Sequence, residues 1–197
     1  MKVLEGKRAR KDPNELRDSF KNLEVPNVSK ETILQHLELV PERYFSHTGR
    51  EEVGLHIEMA SKYDQQSRPL EKPVVSWRND LRRTLTIVDV VVTDQPGLFE
   101  KITGALAITG LNILGARAIT REDDLAIDVF YVEGENGGIV EDVSIRQSFE
   151  TSLESFLAGK DCPIEQIAAH RKKSEKAKTF ATSDKFGAKI PPQVDVY

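Results

Sequence analysis

The run with the clearest chemical potential is Asp94-Gln95-Pro96-Gly97. It falls between a β-branched stretch that predicts a strand and a periodic stretch that predicts a helix. Backbone N–H groups and the positive end of that helix therefore converge on one spot. An anion such as an amino-acid carboxylate suits that environment. Gly97 has no side chain, which lets a ligand come close to the backbone. Asp94 can take a ligand's ammonium, and Asn112, opening the next strand, can hydrogen-bond either group. A purely structural reading stands beside this one. In it Asp94 or Gln95 caps the helix, Pro96 sits near its first position, Gly97 serves a tight turn, and Asn112 satisfies a loop.

Other reactive side chains point to simpler roles. Asp128 lies inside an apolar strand, where it is either exposed on the open sheet face or, the favoured reading, paired with Arg117 of the neighbouring strand. His36, His47, His56 and His170 lack metal-ligand spacing and read as solvated surface residues, so no metal site and no cofactor are expected. Cys162 is the single cysteine. It excludes an internal disulfide, fits a reducing compartment and hence the cytoplasm, and has no local histidine to activate it. The basic run from Arg171 to Lys178 lacks interleaved aromatics, and the chain carries a formal net charge of -4, so no nucleic-acid partner is expected. No apolar run is long enough to span a bilayer, and the basic start has no apolar stretch behind it.

Several elements must position the loop. Residues 1–63 read as short amphipathic helices with clear start and stop signals: Asp12-Pro13-Asn14-Glu15, then Pro26, Ser29, Pro41 and the capping box Thr48-Gly49-Arg50-Glu51. Residues 64–82 break the periodicity and read as a linker. Residues 83–197 form a compact unit. A threonine-, isoleucine- and valine-rich strand runs from Arg83 to Thr93, with Asp89 alone interrupting one side. A helix follows in which Leu98, Ile102 and Leu106 recur until Gly110. Asn112–Thr120 and Leu125–Val132 form a hairpin around the turn Arg121-Glu122-Asp123-Asp124. A glycine-rich turn leads to a helix over 143–157, and a last edge strand is expected near 190–197, after Pro191 and Pro192. The order is βαββαβ, an α+β fold of the ferredoxin-like type with a helical N-terminal extension.

The run Thr93-Asp94-Gln95-Pro96-Gly97-Leu98-Phe99, with Ile102 to Leu106, Gly110-Leu111-Asn112-Ile113 and Asp128-Val129-Phe130-Tyr131-Val132, resembles the first ACT domain of a known enzyme family. That family is the bifunctional uridylyltransferases and uridylyl-removing enzymes that modify signal protein PII. Their loop usually reads Asp-Arg-Pro-Gly-Leu-Phe, and here Gln95 stands in place of the arginine. Upstream, Pro41 to Phe45 and Glu51 to Met59 resemble the helical segment that precedes the ACT pair in those enzymes. The resemblance implies an effector held against the loop and the facing strand of a partner subunit, by Asp94, Gln95, Pro96, Gly97, Leu98, Asn112 and Ile113. It favours an amino acid, glutamine in particular, a homodimer joined through edge strands, and a PII or nucleotidyltransferase partner.

Catalytic residues are not expected. The transferase chemistry of that family needs a glycine-serine loop followed by paired aspartates that hold magnesium, and the chain has no such pair in such a setting. The removing activity needs a histidine followed by aspartate, and none of the four histidines is. A second ACT domain is not expected either. The chain reads as a regulatory relative or a fragment, with a protein-interaction or dimerisation module as the alternative.

Overall fold

The structure is a computed structural model and describes residues 13–66 and 72–160. Four helices come first: α1 (Pro13–Phe20), α2 (Lys30–Leu39), α3 (Glu42–His47) and α4 (Arg50–Asp64). Then follow β1 (Val74–Asp80), β2 (Leu85–Thr93), α5 (Leu98–Ile108), β3 (Asn112–Thr120), β4 (Leu125–Glu133) and α6 (Val143–Leu157). The strands make one antiparallel sheet in the order β1-β2-β4-β3.

Register and alternation assign the two faces of this sheet. Trp77, Val88, Phe130 and Ala116 lie level across the four strands. Their face carries α5 and α6, since Trp77 meets Phe149 of α6 edge-on at 5.4 Å and Phe130 meets Phe99 of α5 at 5.5 Å. Arg78, Asp89 and Arg117 belong to the opposite face, where Glu52 and His56 of α4 reach them. The sheet is therefore a middle layer. Buried residues of α1–α4 and of the sheet form one contiguous core cluster, so the short helices find there the apolar support that helices of their length need.

Most of the expected local signals operate. Ser29 caps α2 by accepting the Thr32 N–H at 3.1 Å. Gly110, expected at the end of α5, follows it with positive φ; Asp142, not anticipated from the sequence, caps α6 by accepting from Ser144 at 2.8 Å, and Gly159 follows that helix with positive φ. The turn Arg121–Asp124 closes the β3–β4 hairpin, with Asp124 at φ 62°. The Thr48 capping box does not form: α4 is capped by the backbone of Gly49, and Thr48 is buried beside Arg117.

One element overturns the expected division. The span 64–82, read as linker, contains β1, which pairs with β2 from Val74↔Val91 to Asp80↔Leu85. Asp80 Oδ1 accepts the backbone N–H groups of Arg82 and Arg83 at 3.0 and 3.1 Å, which turns the chain back into β2. This strand takes the sheet position beside β2. The last strand expected near 190–197 lies outside the described residues, as do Cys162, His170 and the basic run 171–178.

Candidate functional site

Strand β2 ends at Thr93, and the loop Asp94–Gly97 delivers the chain into α5. Neither Asp94 nor Gln95 caps that helix: the N-cap is Gly97 itself, at φ 75° and with no side-chain bond. The positive φ explains the glycine, because any L side chain is strained there. Nothing lies within 4 Å of where a Cβ would project from Gly97. The mouth of α5 is thus open, with its first-turn amides uncapped by a side chain.

Charges of both signs border this mouth. Lys101 Nζ donates to Gln95 Oε1 at 2.9 Å, holding a cation above the loop. The Asp94 N–H is anchored on Asp124 O at 2.7 Å, while the Asp94 side chain stays exposed, with only a long 3.5 Å contact from Thr120 Oγ1. Buried near it on β4 is Asp128. Burial first, and the Asp94 charge second, push the Asp128 carboxyl up to about 7, against an opposing hydrogen bond from the Ile119 backbone. Arg117 is not its partner. Arg117 is level with Val129 and Asp128 with Ala118, so their side chains leave opposite faces of the sheet.

The expected ligand set divides into two groups. Asp94, Gln95, Pro96 and Gly97 form the loop, with Leu98 buried beneath it. Asn112 and Ile113 lie at the other end of the sheet, level with Glu133 and Val132, while the loop adjoins Leu125. The separation is about the length of β2, roughly 25 Å at the rise of a strand. Asn112 Nδ2 donates to Gly134 O at 3.1 Å and so steadies the glycine-rich turn of its own chain.

The second polar constellation sits on the face covered by α4. His56 is fully buried, with Nδ1 on Tyr44 Oη at 2.9 Å and Nε2 on Asp89 Oδ1 at 3.2 Å. Arg78 donates to both oxygens of Asp89, at 2.9 and 2.8 Å, and to Glu52 Oε1 at 3.2 Å. Arg117 donates to the same Glu52 oxygen at 2.6 Å and to His47 O at 2.6 Å. Desolvation alone would raise the Asp89 carboxyl, but His56 and Arg78 hold it below the ordinary carboxylate range. Glu52, His56 and Asp89 have the donor types of a cation site, and their ligand atoms lie within 4.8 Å of one another. Two guanidinium groups already take both Asp89 oxygens and Glu52 Oε1, which makes the cluster an ion-pair network.

Among the described residues His36 is the other buried histidine, and it and His56 correct the expectation of solvated histidines. Arg121 Nη1 donates to its Nδ1 at 3.4 Å, and burial together with Arg121 lowers the imidazole from 6.5 to about 3. Tyr63, from the last turn of α4, ties that helix to the loop: Thr93 N donates to Tyr63 Oη at 3.0 Å, and Thr93 Oγ1 lies 2.8 Å from the same oxygen.

Comparison with known families decides the type of domain, because the ACT domain family matches residues 86–150. Those residues are an ACT domain. The match opens on β2 and runs through the loop, α5, β3 and β4 into α6. The ACT domain is accordingly α+β with a four-stranded antiparallel sheet, although the strand beside β2 is β1, which precedes the matched stretch.

Relatives extend the similarity beyond the ACT domain. A bifunctional uridylyltransferase/uridylyl-removing enzyme of Azospirillum brasilense is 28% identical over 167 residues, which is 84% of this chain and 17% of that protein. The like-named enzyme of Rhodospirillum rubrum is 37% identical over 87 residues, covering 44% of this chain and 9% of that protein. That of Gluconobacter oxydans is 34% identical over 113 residues, covering 57% and 11%. The chain thus spans less than a fifth of the length of these relatives. Among the described residues, no helix is long and apolar enough to cross a membrane.

The network beneath the ACT sheet left a faint sequence signal. Glu52 and His56 stand four apart, next to the Val53 and Ile57 stripe of α4, and Asp89 interrupts an apolar strand face. A carboxylate on a strand face destined for burial needs a partner from the covering layer.

Proposed function

We propose that this chain is a regulatory module whose ACT domain binds a small zwitterionic effector, an amino acid such as glutamine, at the mouth of α5. The observation that carries the reading is the loop itself: a helix start behind Gly97 where the Leu98 N–H is taken by Gln95 O at 3.0 Å but no side chain caps the turn, with open space beside it. A carboxylate finds backbone donors and the positive helix end there, reinforced by Lys101. An ammonium finds Asp94, with Asp128 behind it. Opposite charges on two sides of one opening suit an α-amino acid better than a simple anion.

Asn112 and Ile113 join this site only from a second copy, since their own loop is a sheet length away. Edge-to-edge pairing of β3, whose positions are exposed or half-buried apart from Ile119, brings two copies together. By analogy with the relatives, the module serves a nitrogen-signalling uridylyltransferase system, and uridylyl transfer itself belongs to parts of those proteins outside the aligned stretch. The helical front then docks on the nucleotidyltransferase or on PII.

Calorimetric titration with individual amino acids tests the effector. Saturable binding of glutamine that Asp94→Ala removes supports the reading, and no heat with any amino acid at millimolar concentration contradicts it. A second reading, dimerisation without a ligand, draws on the exposed β3 edge and its bulge at Leu114. Self-association unaffected by any amino acid favours that alternative.

A further inference from the structure

We infer that Tyr63 is a positioning residue for the effector loop, and that α4 is the element through which the state of that loop reaches the helical front. In the strand ladder β1 begins at Val74, opposite Val91, so it stops short of Thr93 at the end of β2. On that side of β2 the Thr93 N–H has run past the paired region of β1, and a backbone donor without an acceptor is costly. Tyr63 Oη accepts that bond at 3.0 Å and also meets Thr93 Oγ1 at 2.8 Å. On the other side of the strand the next residue, Asp94, is tied to Asp124 O at 2.7 Å. The loop therefore departs from two consecutive anchors, one in its own hairpin turn and one on α4.

The phenol is well placed to act in this way. Tyr63 is buried, so its ring is fixed by packing and its hydroxyl has little freedom to wander. Glu52, His56 and Tyr63 recur at helical spacing along one face of α4, and each reaches the sheet: Glu52 at Arg78 and Arg117, His56 at Asp89, Tyr63 at Thr93. Through these grips α4 holds β1, β2 and β3. The first two lie in a network that fixes the helix against the sheet, whereas the third ends on the residue that opens the loop. A shift of the loop on occupation pulls on Tyr63, and by reciprocity a shift of α4 alters the loop.

Only the ligand part of this inference rests on the effector reading, and the experiment separates the two. Hydrogen–deuterium exchange of the full chain is compared between wild type and Tyr63→Phe without ligand. The variant keeps the ring and loses only the hydroxyl. The expected result is faster exchange across residues 93–98, by roughly five-fold, the worth of one neutral hydrogen bond, with β4 unchanged. Unchanged exchange at 93–98 in a folded Tyr63→Phe chain overturns the proposal. Should that variant fail to fold, Thr93→Val, which keeps the backbone donor and removes the hydroxyl facing Tyr63, gives the same test with a smaller acceleration expected and no acceleration overturning it. A glutamine titration follows. Where wild type responds, Tyr63→Phe is expected to weaken the midpoint by several-fold, and an equal midpoint overturns the positioning role. Where wild type does not respond, the effector reading fails while the exchange result still decides the anchor.

Discussion

His56 of α4 and Asp89 of β2 meet at 3.2 Å with both side chains fully buried, and this contact fastens the helical front to the centre of the sheet. Asp89 also carries Arg78. Removing the carboxylate with Asp89→Ala strips the fully buried His56 and the partly buried Arg78 of the anion they share, leaving His56 only Tyr44 and Arg78 only Glu52. The expected loss is about 3–5 kcal/mol in urea denaturation. A loss below about 1 kcal/mol contradicts the network as described.

Asp128 sets a pH dependence. Its folded carboxyl titrates near 7 and its unfolded one near 3.8, so between those values the folded state binds the extra proton. Stability therefore falls as pH rises from about 4 to about 7, and is fully lowered above that. Asp128→Asn should flatten this slope and stabilise the chain at pH 8 by on the order of 2–4 kcal/mol. Chemical denaturation across that window checks it, and an undiminished slope in the variant speaks against the assignment.

His36 acts in the opposite sense. Its imidazole is lowered from 6.5 to about 3, so below 6.5 the unfolded chain takes up the proton first. Its contribution is complete above 6.5 and is lost as pH falls toward 3. Because the window overlaps that of Asp128, the measurement belongs in the Asp128→Asn background. There His36→Phe should remove most of the remaining decline between pH 6.5 and about 4, and a decline of the same size in both proteins counts against a buried neutral His36.

How much of this was readable beforehand depended on whether a residue's partner lay nearby in the chain. Ser29, Gly110 and the turn Arg121–Asp124 act within a few residues of themselves, and each does what its local chemistry implies. The stripe Leu98, Ile102 and Leu106 is buried as its spacing predicts. β1 was hidden because its apolar side holds only Val75 and Trp77 before Asn79, while Ser76, Arg78 and Asp80 make the other side polar, and the reason for Arg78 is Asp89 on the next strand and Glu52 on a distant helix. His56 looked solvated for the same reason: its partners Tyr44 and Asp89 stand 12 and 33 residues away. In the candidate site, the loop was legible and Asn112 and Ile113 were identifiable as residues, but their distance from the loop follows from helix α5 running back along the sheet.

Gly97 separates conformational from steric demands. Its φ is 75°, and nothing lies within 4 Å of the point a Cβ would occupy, so substitution should be limited by backbone strain of about 1–2 kcal/mol. Asn tolerates this region better than a β-branched residue. Gly97→Asn is therefore expected to retain more stability than Gly97→Val in thermal denaturation, and equal losses would show that space, not φ, sets the requirement.

Whether the loop Asp94–Gly97 receives an amino acid is tested most directly by calorimetric titration of the wild-type chain with glutamine, beside Asp94→Ala and Gly97→Val. Saturable heat is expected in the wild type, and both variants should abolish it while remaining folded. Binding that survives both substitutions, or no heat from glutamine or any other amino acid at millimolar concentration, contradicts an effector site at the mouth of α5.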